Sequence, residues 1–227
     1  FTILPVSAQT QARTWKDSAE LTFINSRGNS EQTTFGANNL FTGNLGPWGL
    51  ELKAGALSSE THGVMTSEKY NASEKGTRKL TGSLYIYELG GWDKDRFAGI
   101  RERFETSAGL GVEVLKREND LVVAELGAGY IAEDRLGSPN KNFASGRAYT
   151  KYTRKLSATA TFSQDAEYLH DFTDAKDYRA NAETALVTSL SSKLSLKLGF
   201  KVKVANEPPP GAVKSDRTTT AALIINF

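Results

Sequence analysis

No cysteine occurs in the chain, which excludes disulfides and any thiolate-bound zinc. No run of about 18 apolar residues occurs either, so a helical membrane span is excluded. An excess of one charge is also missing: 28 basic and 26 acidic residues leave a net charge of only +2. A dedicated nucleic-acid surface would need a clustered basic excess, so this balance argues against one. No stretch repeats apolar residues at i, i+3, i+4 and i+7, the stripe of an amphipathic helix. The two histidines, His62 and His170, stand isolated, with no flanking pattern that marks a nucleophile. The expectation is a non-enzymatic all-β chain with no cofactor and no metal.

What the chain does have is alternation. In the stretch from Arg217 to Phe227, Thr219, Ala221, Leu223, Ile225 and Phe227 fall on one side of an extended strand. A closing strand of an outer-membrane barrel reads this way, because it faces lipid and its end sits at the interface. A negative mean hydropathy is compatible with that, since only alternate residues need be apolar. Upstream, Phe104, Ala108, Leu110, Val112 and Val114 oppose Arg101, Arg103, Glu105 and Glu113. Leu194, Leu196, Leu198, Phe200 and Val202 oppose Lys193, Lys197, Lys201 and Lys203. Segments of this kind, separated by turn residues, number about twelve, and single-chain barrels have an even number. The predicted fold is an antiparallel transmembrane β-barrel over residues 14–227. A soluble barrel with the lysines outward accounts for neither the apolar end nor the spacing of the loops.

The connections suggest an orientation. Stretches Ser58–Met65, Asp93–Gly99, Asp134–Asn142 and Glu207–Asp216 read as long loops at one end, and the turns at the other end read as tight. Short periplasmic turns with longer external loops place both termini in the periplasm. Trp15, Phe41, Trp48 and Phe227 then form one aromatic girdle, and Trp92, Tyr130, Tyr168 and Tyr178 the other. Residues 1–13 read as the remnant of an export signal, with Val6-Ser7-Ala8 as its small-residue site, or as a flexible lead-in.

Several stretches resemble a known family. They are Trp15-Lys16-Asp17-Ser18-Ala19-Glu20-Leu21 with Gly28-Asn29-Ser30, Ser67-Glu68-Lys69-Tyr70, and Asp95-Arg96-Phe97-Ala98-Gly99-Ile100. Ser107-Ala108-Gly109-Leu110-Gly111, Glu125-Leu126-Gly127-Ala128-Gly129-Tyr130 and Pro208-Pro209-Pro210-Gly211 follow in order. The chain is similar to the salt-induced outer-membrane proteins, the domain of unknown function 481. That resemblance implies an outer-membrane barrel and transfers no catalytic residue. The family name records a response to salt, which is not a mechanism.

The candidate site is the barrel interior. Arg101, Arg103, Glu105, Glu113, Glu125, Arg147, Lys151, Glu183, Lys193, Lys197, Lys201 and Lys203 alternate onto one face and are expected to line it. One reading is a channel whose cations attract anions, since rings of charge set pore selectivity. The other is mutual neutralisation of the lysines by acids such as Glu183 and Glu167 in a filled interior, giving a closed barrel that scaffolds envelope proteins. Glycines in Gly109-Leu110-Gly111 and Gly127-Ala128-Gly129 are expected to relieve crowding where the wall curves. Asp93 and Asp95 lack the full calcium-loop pattern. The outward set breaks its own rule at Asn39 and along the fourth segment, where Tyr70 and Ala72 are followed by Glu74 and Arg78. Strands two to four are therefore expected to meet another envelope protein or a second copy, with the rest of the exterior in outer-membrane lipid.

Overall fold

The computed structural model describes residues 15–26 and 32–227. Twelve strands account for nearly all of them: β1 (Trp15–Ser26), β2 (Gln32–Leu45), β3 (Trp48–Thr61), β4 (Val64–Lys79), β5 (Leu84–Asp95), β6 (Ile100–Lys116), β7 (Asp120–Arg135), β8 (Lys141–Lys155), β9 (Ala160–Asp171), β10 (Tyr178–Ser189), β11 (Leu194–Ala205) and β12 (Ser215–Asn226). Each pairs antiparallel with its sequence neighbours, and β12 returns to β1, closing the barrel. The seam holds Ser18 to Leu21 against Asn226 to Leu223, and Phe227 N donates to Asp17 O at 3.0 Å. The end carrying Trp15 and Phe227 is called the near end below, the opposite one the far end. The export-signal reading of residues 1–13 falls outside the described residues.

The alternation resolves into two faces. Leu110, Leu126, Leu198, Phe200 and Phe104 are exposed on the outside of the wall. Their neighbours Ser107, Glu125, Arg147 and Ser195 are buried inside. This inverts a soluble protein, and lipid is the medium it suits. Trp15 stacks on Phe41 at the near end, and Tyr168 stacks on Tyr178 toward the far end.

The far-end connections are shorter than the sequence suggested. The expected loop Ser58–Met65 is a two-residue turn at His62 and Gly63, both at positive φ (51° and 72°). That is the geometry of a primed hairpin turn, with His-Gly in the place usually taken by Asn-Gly. The expected loop Asp93–Gly99 shrinks to residues 96–99, because β5 continues through Asp95. Asp134–Asn142 shrinks to residues 136–140. Here the ladder runs past the apolar belt, so the strands become polar on both faces and lose their alternation signal. Only residues 206–214 form a long far-end connection among the described residues.

Glycines allow an unusually close approach between β6 and β7. Gly109 and Gly127 sit opposite each other, as do Ser107 and Gly129. A Cβ on Gly109 would strike the backbone of Leu126, and one on Gly129 the backbone of Thr106. Tyr85 and Tyr87 fill the space, with the Tyr85 ring over Gly111 and the Tyr87 hydroxyl over Gly127. Gly129→Ala is therefore expected to destabilise the barrel by about 3 kcal/mol or more, because a backbone contact cannot relax. Gly82→Ala, with open space around it, should stay within about 0.5 kcal/mol. Urea unfolding from lipid vesicles measures both.

Candidate functional site

Charged side chains cross the interior as chords between strands that are not neighbours. Glu125 on β7, itself buried, takes Lys75 from β4 at 2.6 Å, Arg147 from β8 at 3.0 Å and the Tyr85 hydroxyl from β5 at 2.8 Å. Arg147 also donates to Glu167 on β9 at 2.7 Å, and the other Glu167 oxygen accepts from Asn181 at 3.1 Å. The cations lie against ring faces: Lys75 is 5.1 Å from the centre of Tyr149, and Arg147 is 5.2 Å from that of Tyr87. Half-buried Lys75 and buried Arg147 therefore share one carboxylate and two π faces, which offsets their desolvation.

A second knot lies toward the far end. Glu133 is 1% exposed and is held by Arg103 (2.6 Å), Arg135 (2.6 Å) and, from β10, Arg179 (2.8 Å). Lys141 pairs with Asp171 at 3.2 Å and with Asp177 at 2.7 Å. Beneath these pairs Ile131, Phe143 and Leu169 form an apolar cluster inside the barrel. The inner surface around Glu125 and Glu133 is thus filled.

The facing wall is different. Lys197 lies between Glu183 (3.0 Å) and Glu20 (3.1 Å), the neutralisation that the sequence allowed. Lys201 is only 3.9 Å from Glu183. Lys203 and Lys151 make no ion pair within 4.0 Å among the described residues. Among described inward-facing charges away from strand ends, Lys53, Lys201 and Lys203 remain exposed, although Lys53 pairs with Glu51 at 2.6 Å, whereas the acids are covered or half-covered. Lys53, Lys151 and Lys201 all act on Asp165, so these cations look into one space. Glu105 is half-buried on the same face, within electrostatic reach of Arg103 and Arg147.

The far mouth is partly spanned. Residues 206–214 fold across to the β5–β6 turn on the other side, where a Cβ on Gly99 would fall 2.8 Å from Pro209. Below them Lys69 on β4 reaches Asp216 on β12 at 2.5 Å and Asp95 at 3.2 Å. Asp95 is thereby occupied, and it also accepts from Ala98 N at 3.0 Å.

Two residues expected inside lie elsewhere. Arg101 sits at a bulge near the start of β6, which breaks the alternation, and it pairs with Asp134 at 3.1 Å on the exposed rim. Lys193 precedes β11 and is exposed in the near-end turn. Glu113 is at the near end with Lys79 (3.0 Å) and Lys116 (3.1 Å). Lys53, Lys75, Glu133 and Arg179 are interior residues that the sequence reading left out. Strand parity marks Glu133, eight positions after Glu125 on the same face. Tyr85 and Tyr87 carry no such signal, since an aromatic residue suits either face of β5. His62 is at the hairpin turn, and His170 packs outward against Tyr168 and Phe172.

The chain belongs to the family described as protein of unknown function DUF481, whose model matches residues 19–227. It is 27% identical over 228 residues to the uncharacterized protein YdiY of Escherichia coli (strain K12), covering 98% of this chain and 87% of that protein. Among solved structures it is similar to the translocator domain of autotransporter NalP from Neisseria meningitidis, with TM-score 0.57, 12% identity and 96% and 90% of the two chains covered. It is also similar to the NanC porin, with TM-score 0.53, 9% identity and coverage of 93% and 97%. At these identities the likeness is one of fold, a closed outer-membrane-type barrel.

Removing the hub of the packed wall should expose its energetics. Glu125→Ala leaves Lys75 and Arg147 without their shared carboxylate, and a loss of about 3–5 kcal/mol is expected. Tyr87→Phe, which removes one hydroxyl shared with Ser107 at 3.3 Å, should cost about 1 kcal/mol. Denaturant midpoints in vesicles compare the two.

Proposed function

We propose that this protein is an outer-membrane channel for small solutes, biased toward anions, with both termini in the periplasm. The observation that carries the reading is the imbalance of exposure inside the barrel. Lys53, Lys201 and Lys203 are exposed in the interior, Lys53 beside its partner Glu51 at 2.6 Å, while the acids there are covered or half-covered. Fixed cations on a water-filled wall raise the local anion concentration and repel cations, without any bound state deep enough to trap the solute. The filled wall around Glu125 and Glu133 and the crossing loop at residues 206–214 narrow the path, so passage is restricted to small species. Similarity in fold to the NanC porin supports a channel-like role. The dense chord network is equally what a closed scaffold would need, and that is the competing reading.

Single-channel recording in a planar bilayer decides between them. Stable steps with anion-over-cation permeability are expected from the wild type. Lys53→Glu with Lys201→Glu and Lys203→Glu should lower the anion/cation ratio by about threefold or more at low salt, and less at 1 M, where the Debye length is about 3 Å. A folded barrel that carries no current would favour the scaffold.

A further inference from the structure

The outward face of β4 and β5 carries ions where lipid should be. Lys75 points inward to Glu125, so Glu74 and Arg78 point outward, and Glu74 is paired across the wall with Leu52 of the apolar exterior. Tyr85 and Tyr87 point inward, so Glu88 points outward as well. Glu88 is flanked on its own strand by Ile86 and lies opposite Ala108, midway along the exposed apolar run of β6 from Phe104 to Val114. Glu74, Arg78 and Glu88 are all exposed, and none makes an ion pair among the described residues.

The local backbone is shaped around the two carboxylates. Glu74 is opposite Gly90 and Glu88 is opposite Gly76, so the acids are diagonal neighbours lying over glycines. A Cβ on Gly76 would collide with the Glu88 carboxylate. Beside them Ala37, Ala54, Ala56 and Ala72 form a low strip, bordered by Tyr70 and by Trp92 opposite Ala72, on which another wall can approach closely. A hollow of about 660 Å³ elsewhere in the exterior, lined by Ala124, Ala148, Ala166, Ala180 and Ala182, is almost wholly apolar, and acyl chains suffice to fill it.

We infer that the β2–β5 face binds a second copy of this chain, with Arg78 of each copy directed at the Glu74/Glu88 pair of the other. A two-fold contact needs a self-complementary patch, and this one holds both signs of charge within a few residues. A guanidinium fork suits two adjacent carboxylates, and the contact covers the arginine and both acids together. The inference is independent of whether the interior conducts.

The absence of cysteine makes the test direct. Ala72→Cys, oxidised in native outer membranes, should yield a disulfide-linked species of twice the monomer mass. Leu198→Cys on the opposite wall should yield none. Arg78→Glu should lower the Ala72→Cys dimer by about tenfold or more, and adding Glu88→Arg should restore it. Heat-modifiable migration confirms folding of each variant, and Arg78→Gln is the milder substitute if the reversal does not fold. Ala72→Cys that stays monomeric, couples only to a different protein, or dimerises regardless of Arg78 overturns the inference.

Discussion

Closure of the hydrogen-bond ladder is the constraint on which the rest of this structure depends. Lipid offers no partner to a backbone N–H or C=O, so an open strand edge cannot persist in it. The β1–β12 seam meets that constraint with four paired positions and a terminal bond from Phe227 to Asp17, whereas β1 and β2 share twelve. Once the wall is closed, parity fixes which side chains face lipid and which are enclosed. The enclosed set then contains many ionisable groups, and the interior must satisfy them.

It does so unevenly. Where glycines let β6 and β7 approach closely, tyrosines and ion pairs fill the inside; Glu125 gathers cations from two strands and Glu133 from three. Packing of that density leaves no room for water around Ile131 or Ser145. On the β3 and β11 side Lys53, Lys201 and Lys203 stay exposed, with Lys53 paired to Glu51 and Lys197 held between Glu183 and Glu20.

Strand number, the closing strand and the parity of most strands were legible from the alternation, because period two survives wherever one face is apolar; β5 is the exception, since Tyr85 and Tyr87 read as its outward face and lie inside. The far-end loops were overestimated for the complementary reason: at Ser58 to Thr61 both faces are polar and only the ladder reveals the strand. A bulge displaced Arg101, and a turn claimed Lys193; neither leaves a signature in residue type. The chords were not legible. Glu125 and Lys75 are fifty residues apart, and their meeting depends on the close approach that glycines allow rather than on any local pattern. The outward charges of β4 were visible as a violation of the rule, and Glu88 joins them only once Tyr85 and Tyr87 are seen to face inward.

The central claim is that the interior has one sealed wall and one wet wall. Single cysteines in this cysteine-free chain, treated with a membrane-impermeant thiol reagent in proteoliposomes, test it most directly. Rapid modification is predicted for Lys53→Cys, Lys201→Cys and Lys203→Cys, with protection of Ile131→Cys and Ser145→Cys. Equal reactivity on both walls, or none on β11, would contradict it.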